Sequence, residues 1–250
     1  MQISFLQAVL IGLVYYLGNG PWLAGVGYYT LYRPLVAGFL VGLILGDPVQ
    51  GTIVGAAINL MYLGFISAGG SLPADPCLAG TVGAAIAIAS NLDPKVAVAL
   101  AAPIGLLGTL IWFVKMTVNA TFAHVADRYA EEGNTRGIML ANVVYPQILL
   151  FVISVIPVFL ASYYGASSVQ TVLDFLGGKV LHILMVIGGM LPALGIAINM
   201  RAITKRDTIM YYFLGFFLVM YLKLDVVAIA IFGAIIAYAV VISSRKERTT

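Results

Sequence analysis

Asp75 is the residue whose surroundings demand an explanation. It lies in residues 58–78, INLMYLGFISAGGSLPADPCL, where an apolar run gives way to two adjacent glycines, two prolines and this one carboxylate. An aspartate at membrane depth costs about 2.5–3.5 kcal/mol on insertion scales, so it must be paired or put to use. Two uses are open and compatible. The carboxylate can accept two sugar hydroxyls at once in charge-assisted bonds, or it can cap the helix that starts near Pro76. Asn59, on the helix entering the break, brings two donors and an acceptor, which suits a neutral, hydroxyl-rich ligand or an interhelical hydrogen bond. Asn199 carries the same two readings.

The other polar residues promise less. Asp47 reads as a loop or cap residue, His124 as a surface histidine, and His182 as an interfacial histidine rather than a phosphoryl acceptor. Cys77 is the only cysteine, so no intrachain disulfide and no thiolate metal cluster can form. There is no Walker A loop, no metal-ligand cluster and no Ser/His/Asp arrangement. The expectation is therefore a chain with no catalytic residue, no metal and no cofactor, whose work is transport or binding.

The elements that must position these groups follow from composition. Of 250 residues, 62% are hydrophobic and 9% charged, against about 25% charged in a soluble domain. Mean hydropathy is +1.04. A chain this size cannot hide so much apolar surface from water, and its long apolar runs favour helices over a barrel. The expected fold is an all-α polytopic membrane protein. Gly69, Gly70, Pro73 and Pro76 cannot continue a helix, so 66–77 is expected as a broken, re-entrant segment. Such backbone is tolerated at membrane depth only where it is buried in protein or lines a wet cavity, and a mid-membrane cavity is where a transporter holds its cargo. The run 188–193, GGMLPA, matches 69–74, GGSLPA, at five of six positions. Paired interruptions of this kind point to a transporter's site, so a second break is expected at 188–193.

Along the chain, 1–34 holds a short apolar helix ending at Gly18-Asn19-Gly20-Pro21, then an aromatic interfacial segment with Trp22, Tyr28, Tyr29, Tyr32 and Arg33. The first core half is 35–112, in which Gly51 and Gly55 predict a close helix contact and Pro103 a kink. In 113–136, Val118, Phe122, Val125 and Tyr129 make one apolar stripe, with Lys115, Asn119, His124, Asp127, Arg128 and Glu131 on other faces. That is an amphipathic helix on the membrane surface, stopped by Gly133-Asn134, resting on headgroups or docking a soluble partner. The second half is 137–243, with a polar interlude at 167–179, and 244–250 is a basic tail. The opening residues lack a basic n-region and a cleavage site, so no removed signal peptide is expected. Basic loops at 201–206 and 245–248 follow the positive-inside pattern, which places the C-terminus in the cytoplasm and implies no nucleic-acid partner.

The ordered set Tyr32-Arg33-Pro34 through Gly46-Asp47, Gly55-Ala-Ala-Ile-Asn59-Leu-Met-Tyr-Leu-Gly64 and then Asp75 resembles the membrane IIC component of the mannose–fructose–sorbose branch of the sugar phosphotransferase system. Ile198-Asn199-Met200, Tyr212-Phe213-Leu214-Gly215-Phe216, the opening run to Gln7 and the Gly133-Asn134 turn fit the same family, so the resemblance spans nearly the whole chain. It implies a bacterial cytoplasmic (inner) membrane protein paired with a IID membrane subunit, the pairs assembling as trimers. A mobile core would carry sugar across in an elevator-like movement. A soluble IIB subunit, charged by IIA, would phosphorylate the sugar at the cytoplasmic exit, with the phosphohistidines on IIA and IIB.

Mannose-type members carry glutamate where this chain has Asn59, and asparagine where it has Ser67. Leu31-Tyr-Arg-Pro and Gly69-Gly-Ser-Leu-Pro-Ala-Asp-Pro look closest to the N-acetylgalactosamine and galactosamine members. The sugar is then expected to be ringed by Asn59, Ser67, the Gly69 and Gly70 backbone, Ser71, Asp75 and Asn199, with Gln7 an outer candidate. An ion-coupled secondary transporter titrating Asp75, or a structural or receptor subunit that binds no solute, are the alternatives.

Overall fold

The computed structural model describes the backbone at 2–21, 25–63, 74–204 and 208–247, and fewer side chains over 166–203, at 226 and over 243–247. All regular structure among these residues is helical. The chain divides into Met1–Asn199 and Met200–Thr250, each taken by itself below.

The first unit is built around one helix. It opens with α1 (Phe5–Asn19), a π-helical turn (Gly27–Leu31), α2 (Pro34–Leu45) and α3 (Pro48–Met61), and continues with α4 (Pro76–Ala89) and α5 (Pro94–Glu131). Every residue of α4 from Pro76 to Ala87 is buried, as befits a helix that is apolar on all sides. Its small residues let neighbours press in: a Cβ on Gly80 would lie 2.6 Å from the Pro34 Cα at the start of α2.

α2 and α3 form a hairpin turned at Gly46, whose φ of +87° is the left-handed conformation that glycine adopts without penalty. The expected close contact is there, backbone against backbone. A Cβ on Gly38 would meet the Gly55 Cα at 2.8 Å, and one on Gly51 the Gly42 Cα at 2.7 Å. Asp47 caps α3, accepting from the Gln50 amide at 2.9 Å.

Three expectations change. The membrane span beginning near 96 and the amphipathic stretch 113–132 are one continuous helix, α5, with Pro103 inside it. Val118, Phe122, Val125 and Tyr129 do not simply float on headgroups. Phe122 packs against Tyr145 with ring centroids 5.8 Å apart, and the Tyr129 ring fills the place of a Gly137 side chain. His124 and Asp127 are the solvated face, at 82% and 77% exposure. Gly133, at φ +66°, and Asn134, which caps α6 (Thr135–Met139), end the helix as expected.

Second, α7 (Tyr145–Ile203) runs unbroken through 167–179 and 188–193, after a π-helical stretch over Leu140–Val144. Glycine and proline loosen a helix in water, but a backbone without water at hand keeps its hydrogen bonds internal and stays helical. Third, Tyr32 is a core residue at 6% exposure, stacked on Tyr28, whereas Tyr29 is 74% exposed as an interfacial ring would be. Trp22 lies outside the described residues.

In the second unit, α8 (Ile209–Leu222) and α9 (Val226–Glu247) are joined through Lys223, which takes the left-handed conformation at φ +53°. Their large apolar side chains, from Met210 to Ile242, face outward. That is the arrangement of helices solvated by lipid tails. Among the described residues, Pro94–Glu131 and Thr135–Gly165 are each long and apolar enough to cross a membrane.

Candidate functional site

The segment between α3 and α4, where the break is expected, is described only at its two ends. Residues 64–73 lie outside the described residues, and Ser67, Gly69, Gly70, Ser71 and the first of the two matching runs, 69–74, fall wholly or mostly there. On the far flank, Asp75 is 2% exposed and sits at the N-cap of α4, with Pro76 in the first turn. Its Oδ1 accepts from the Leu78 amide at 3.0 Å, so the capping reading holds. Its Oδ2 accepts from the Tyr15 hydroxyl at 2.6 Å. Its own amide donates to the Gly105 carbonyl at 2.8 Å.

The close fit comes from glycines on α5. A Cβ on Gly108 would fall on the Asp75 side chain, and one on Gly105 on the Tyr62 hydroxyl. Asp75 thus ties α1, α4 and α5 together beside the break, and Tyr62 brings in the end of α3. Sequence reasoning missed Tyr15, Gly105 and Gly108. Tyr15 lies 60 residues away and is one of 14 tyrosines, so no local signal singled it out.

On the near flank Asn59 is half-buried in the last turn of α3. No hydrogen bond joins it to Asp75 among the described residues. The second half of the chain does reach this point. A Cβ on Gly195 would strike the Leu60 and Met61 carbonyl oxygens, so α7 meets the end of α3 backbone to backbone, three residues past Pro192. Asn199 lies one helical turn further along α7, and its side chain is outside the described set.

Gln7 is placed elsewhere. Its side chain closes a capping box with Ser4, and its Nε2 donates to the Ile44 carbonyl at 3.1 Å. Eight residues separate it from Tyr15, about 12 Å along a helix axis, so Gln7 pins α1 to the far end of α2. Lys115, expected on a solvated face, turns inward. Its Nζ donates to the Asn19 carbonyl at 3.1 Å and lies 5.4 Å from the Trp112 ring centroid. Among the described residues, no group of three His, Cys, Asp or Glu could hold a metal ion.

Outward-facing apolar helices, a glycine-packed interior and one carboxylate buried at a helix N-cap define an integral membrane protein. Residues 5–239 match the family model described as the sorbose-specific IIC component of the phosphotransferase system, and the chain belongs to that family. It is 31% identical over 235 residues to the N-acetylgalactosamine permease IIC component 1 of Escherichia coli K12, covering 93% of this chain and 86% of that protein. It is 29% identical over 255 residues to the sorbose-specific EIIC component of Lacticaseibacillus casei, covering all of this chain and 89% of the relative. The mannose-specific EIIC component of E. coli K12 is 28% identical, covering 95% and 88%. A solved structure described as a membrane protein superposes with a TM-score of 0.83 at 27% identity over 96% of each chain. The mannose transporter ManYZ in complex with microcin E492 superposes at 0.60, again with 27% identity and 96% of each chain covered. The protein is a IIC sugar-transport component of the mannose–fructose–sorbose branch.

Proposed function

We propose that this IIC component carries a neutral hexose or N-acetylated amino sugar, N-acetylgalactosamine first, across the bacterial inner membrane, and that IIB phosphorylates the sugar at the cytoplasmic exit. The observation that carries the reading is the buried Asp75 carboxylate, bonded to Tyr15 at the start of α4, while Gly195 brings α7 against the end of α3 beside Asn59. In this reading Asn59, Ser67, the Gly69 and Gly70 backbone, Ser71, Asp75 and Asn199 ring the sugar. Gln7, committed to its cap and to α2, stands outside the ring.

The relative named as an N-acetylgalactosamine permease supports the substrate, and likeness to the ManYZ transporter supports a second membrane subunit of the IID type. IIA and IIB complete the proposed complex, with trimers of IIC/IID pairs in lipid, a cytoplasmic C-terminus and an elevator-like core. Direction comes from phosphorylation: the charged product fits a neutral site poorly and does not return.

Uptake of labelled N-acetylgalactosamine by cells expressing the complex tests this. Uptake should persist with an uncoupler and stop when the phosphoryl donor is withdrawn. The reverse pattern would establish an ion-coupled transporter instead. Absence of saturable binding of any sugar to the purified complex would establish a structural subunit. Asn59→Glu should shift sugar preference in the same uptake panel, and an unchanged preference would remove Asn59 from the ring.

A further inference from the structure

A second polar hollow lies apart from the break, where the end of α1, the middle of α5 and the α6–α7 junction meet. It has a volume of about 360 Å³ and is lined in part by Asn19, Trp112, Lys115, Asn119, Asn142 and Gln147. Ligand sites start at roughly 300 Å³ and combine aromatic walls with a few placed polar groups. This one is unusual in an apolar chain for its three side-chain amides beyond Asn19.

The atoms indicate the guest. The Asn119 Oδ1 is buried and receives no hydrogen bond, an arrangement that costs about 1–3 kcal/mol unless a donor arrives. Gln147 takes the Tyr16 hydroxyl on its Oε1 at 3.3 Å, and its Nε2 is the donor end of the amide. The Asn19 amide is engaged with the Tyr15 carbonyl at 3.3 Å. Lys115 is the one cation among the described lining residues, and it is already held by the Asn19 carbonyl and the Trp112 face. A buried acceptor calls for a donor such as a hydroxyl, which a fully ionised phosphate lacks. Donors and acceptors beside an indole therefore match a polyhydroxyl ring.

We propose that this hollow is a second saccharide-binding site, distinct from the one at the Asp75 break. The ligand class is read from the hollow's own atoms, and the sugar-transport reading enters only in choosing probes.

Trp112 is the built-in reporter, because the chain has two tryptophans and Trp22→Phe leaves one indole. N-acetylgalactosamine, galactosamine and mannose are titrated into the purified full chain carrying Trp22→Phe. At least one should give a saturable change in Trp112 emission. Asn119→Ala and Gln147→Ala should each raise the half-saturation concentration about tenfold, the effect of one lost hydrogen bond. Thermal unfolding checks that each variant is folded, and the rim residue Gln147 serves if Asn119→Ala is not. Asn59→Ala should leave the Trp112 response in place.

Three results would overturn the proposal. One is no saturable change with any of the three sugars up to about 100 mM, a ceiling that corresponds to negligible affinity. Another is a response lost with Asn59→Ala but indifferent to both amide variants, which would place the sugar at the break. The third is a Trp112 change on moving from phosphatidylcholine to phosphatidylglycerol nanodiscs while all sugars stay silent, which would make the hollow a lipid headgroup site. If donor-dependent uptake failed while Trp112 still titrated with sugar, the transport reading would fall and this one would stand.

Discussion

Tyr15→Phe removes one oxygen from the core and changes almost nothing else. Tyr15 is fully buried, Asp75 is 2% exposed, and the hydroxyl lies 2.6 Å from Oδ2. The bond is worth about 1 kcal/mol if Asp75 is neutral and up to about 3 kcal/mol if it is charged, and water cannot replace it at that depth. For a chain of this size 1 kcal/mol moves the unfolding midpoint by about 2–4 °C, so the variant should melt about 2–12 °C below the parent. The assay is thermal unfolding in detergent by intrinsic fluorescence, run as a cycle with Asp75→Asn. In the Asp75→Asn background the hydroxyl faces an uncharged amide, and Tyr15→Phe should cost less, by about 1 kcal/mol of coupling. Because Tyr15 steadies Asp75 from behind, the loss should appear in stability ahead of sugar affinity. A Tyr15→Phe midpoint within about 1 °C of the parent, or an equal loss in both backgrounds, would refute the claim that this pair locks α1 to α4.

Gly51→Ala should destabilise by about 1–3 kcal/mol, because its Cβ would be driven into the Gly38 carbonyl and the Gly42 Cα. Gly233→Ala in α9 meets nothing within 4 Å and should be neutral or slightly stabilising in the same melt. Gly108→Ala should lower both the melting midpoint and sugar uptake, since the added methyl displaces the Asp75 side chain at the edge of the break; full uptake would show that the position of Asp75 does not matter. His124→Ala should leave uptake and midpoint unchanged, because His124 and Asp127 form an exposed pair at 3.8 Å.

Much of the architecture was legible because it rests on local chemistry. Asp47-Pro48 and Asp75-Pro76 each open a helix with an aspartate cap and a proline in the first turn, a pairing that needs no partner from elsewhere in the chain. Gly51 and Gly55 announced a close contact because four-residue spacing puts two bare patches on one face. Where a helix persists through unfavourable residues the reading failed. The Gly-Gly-x-Leu-Pro run in α7 is a breaker in water, yet the helix continues. Lys115 shows the same limit: its charge suggested solvent, and the Asn19 carbonyl, 96 residues away, took it instead.

By itself, then, the order of residues determined a helical membrane chain, the IIC family, the glycine contacts and the Asp75 cap at the start of α4. Those are set by neighbours within a turn or two, or by total apolarity. Only the folded chain decided that Tyr15 donates to Asp75 and that Gly105 and Gly108 make room for it. The same holds for Gly195 bringing the second half to the end of α3, and for Asn119, Asn142, Gln147 and Trp112 lining one hollow. Each of these depends on which helix faces which, and that is fixed by the sum of packing between helices rather than by any one stretch of chain.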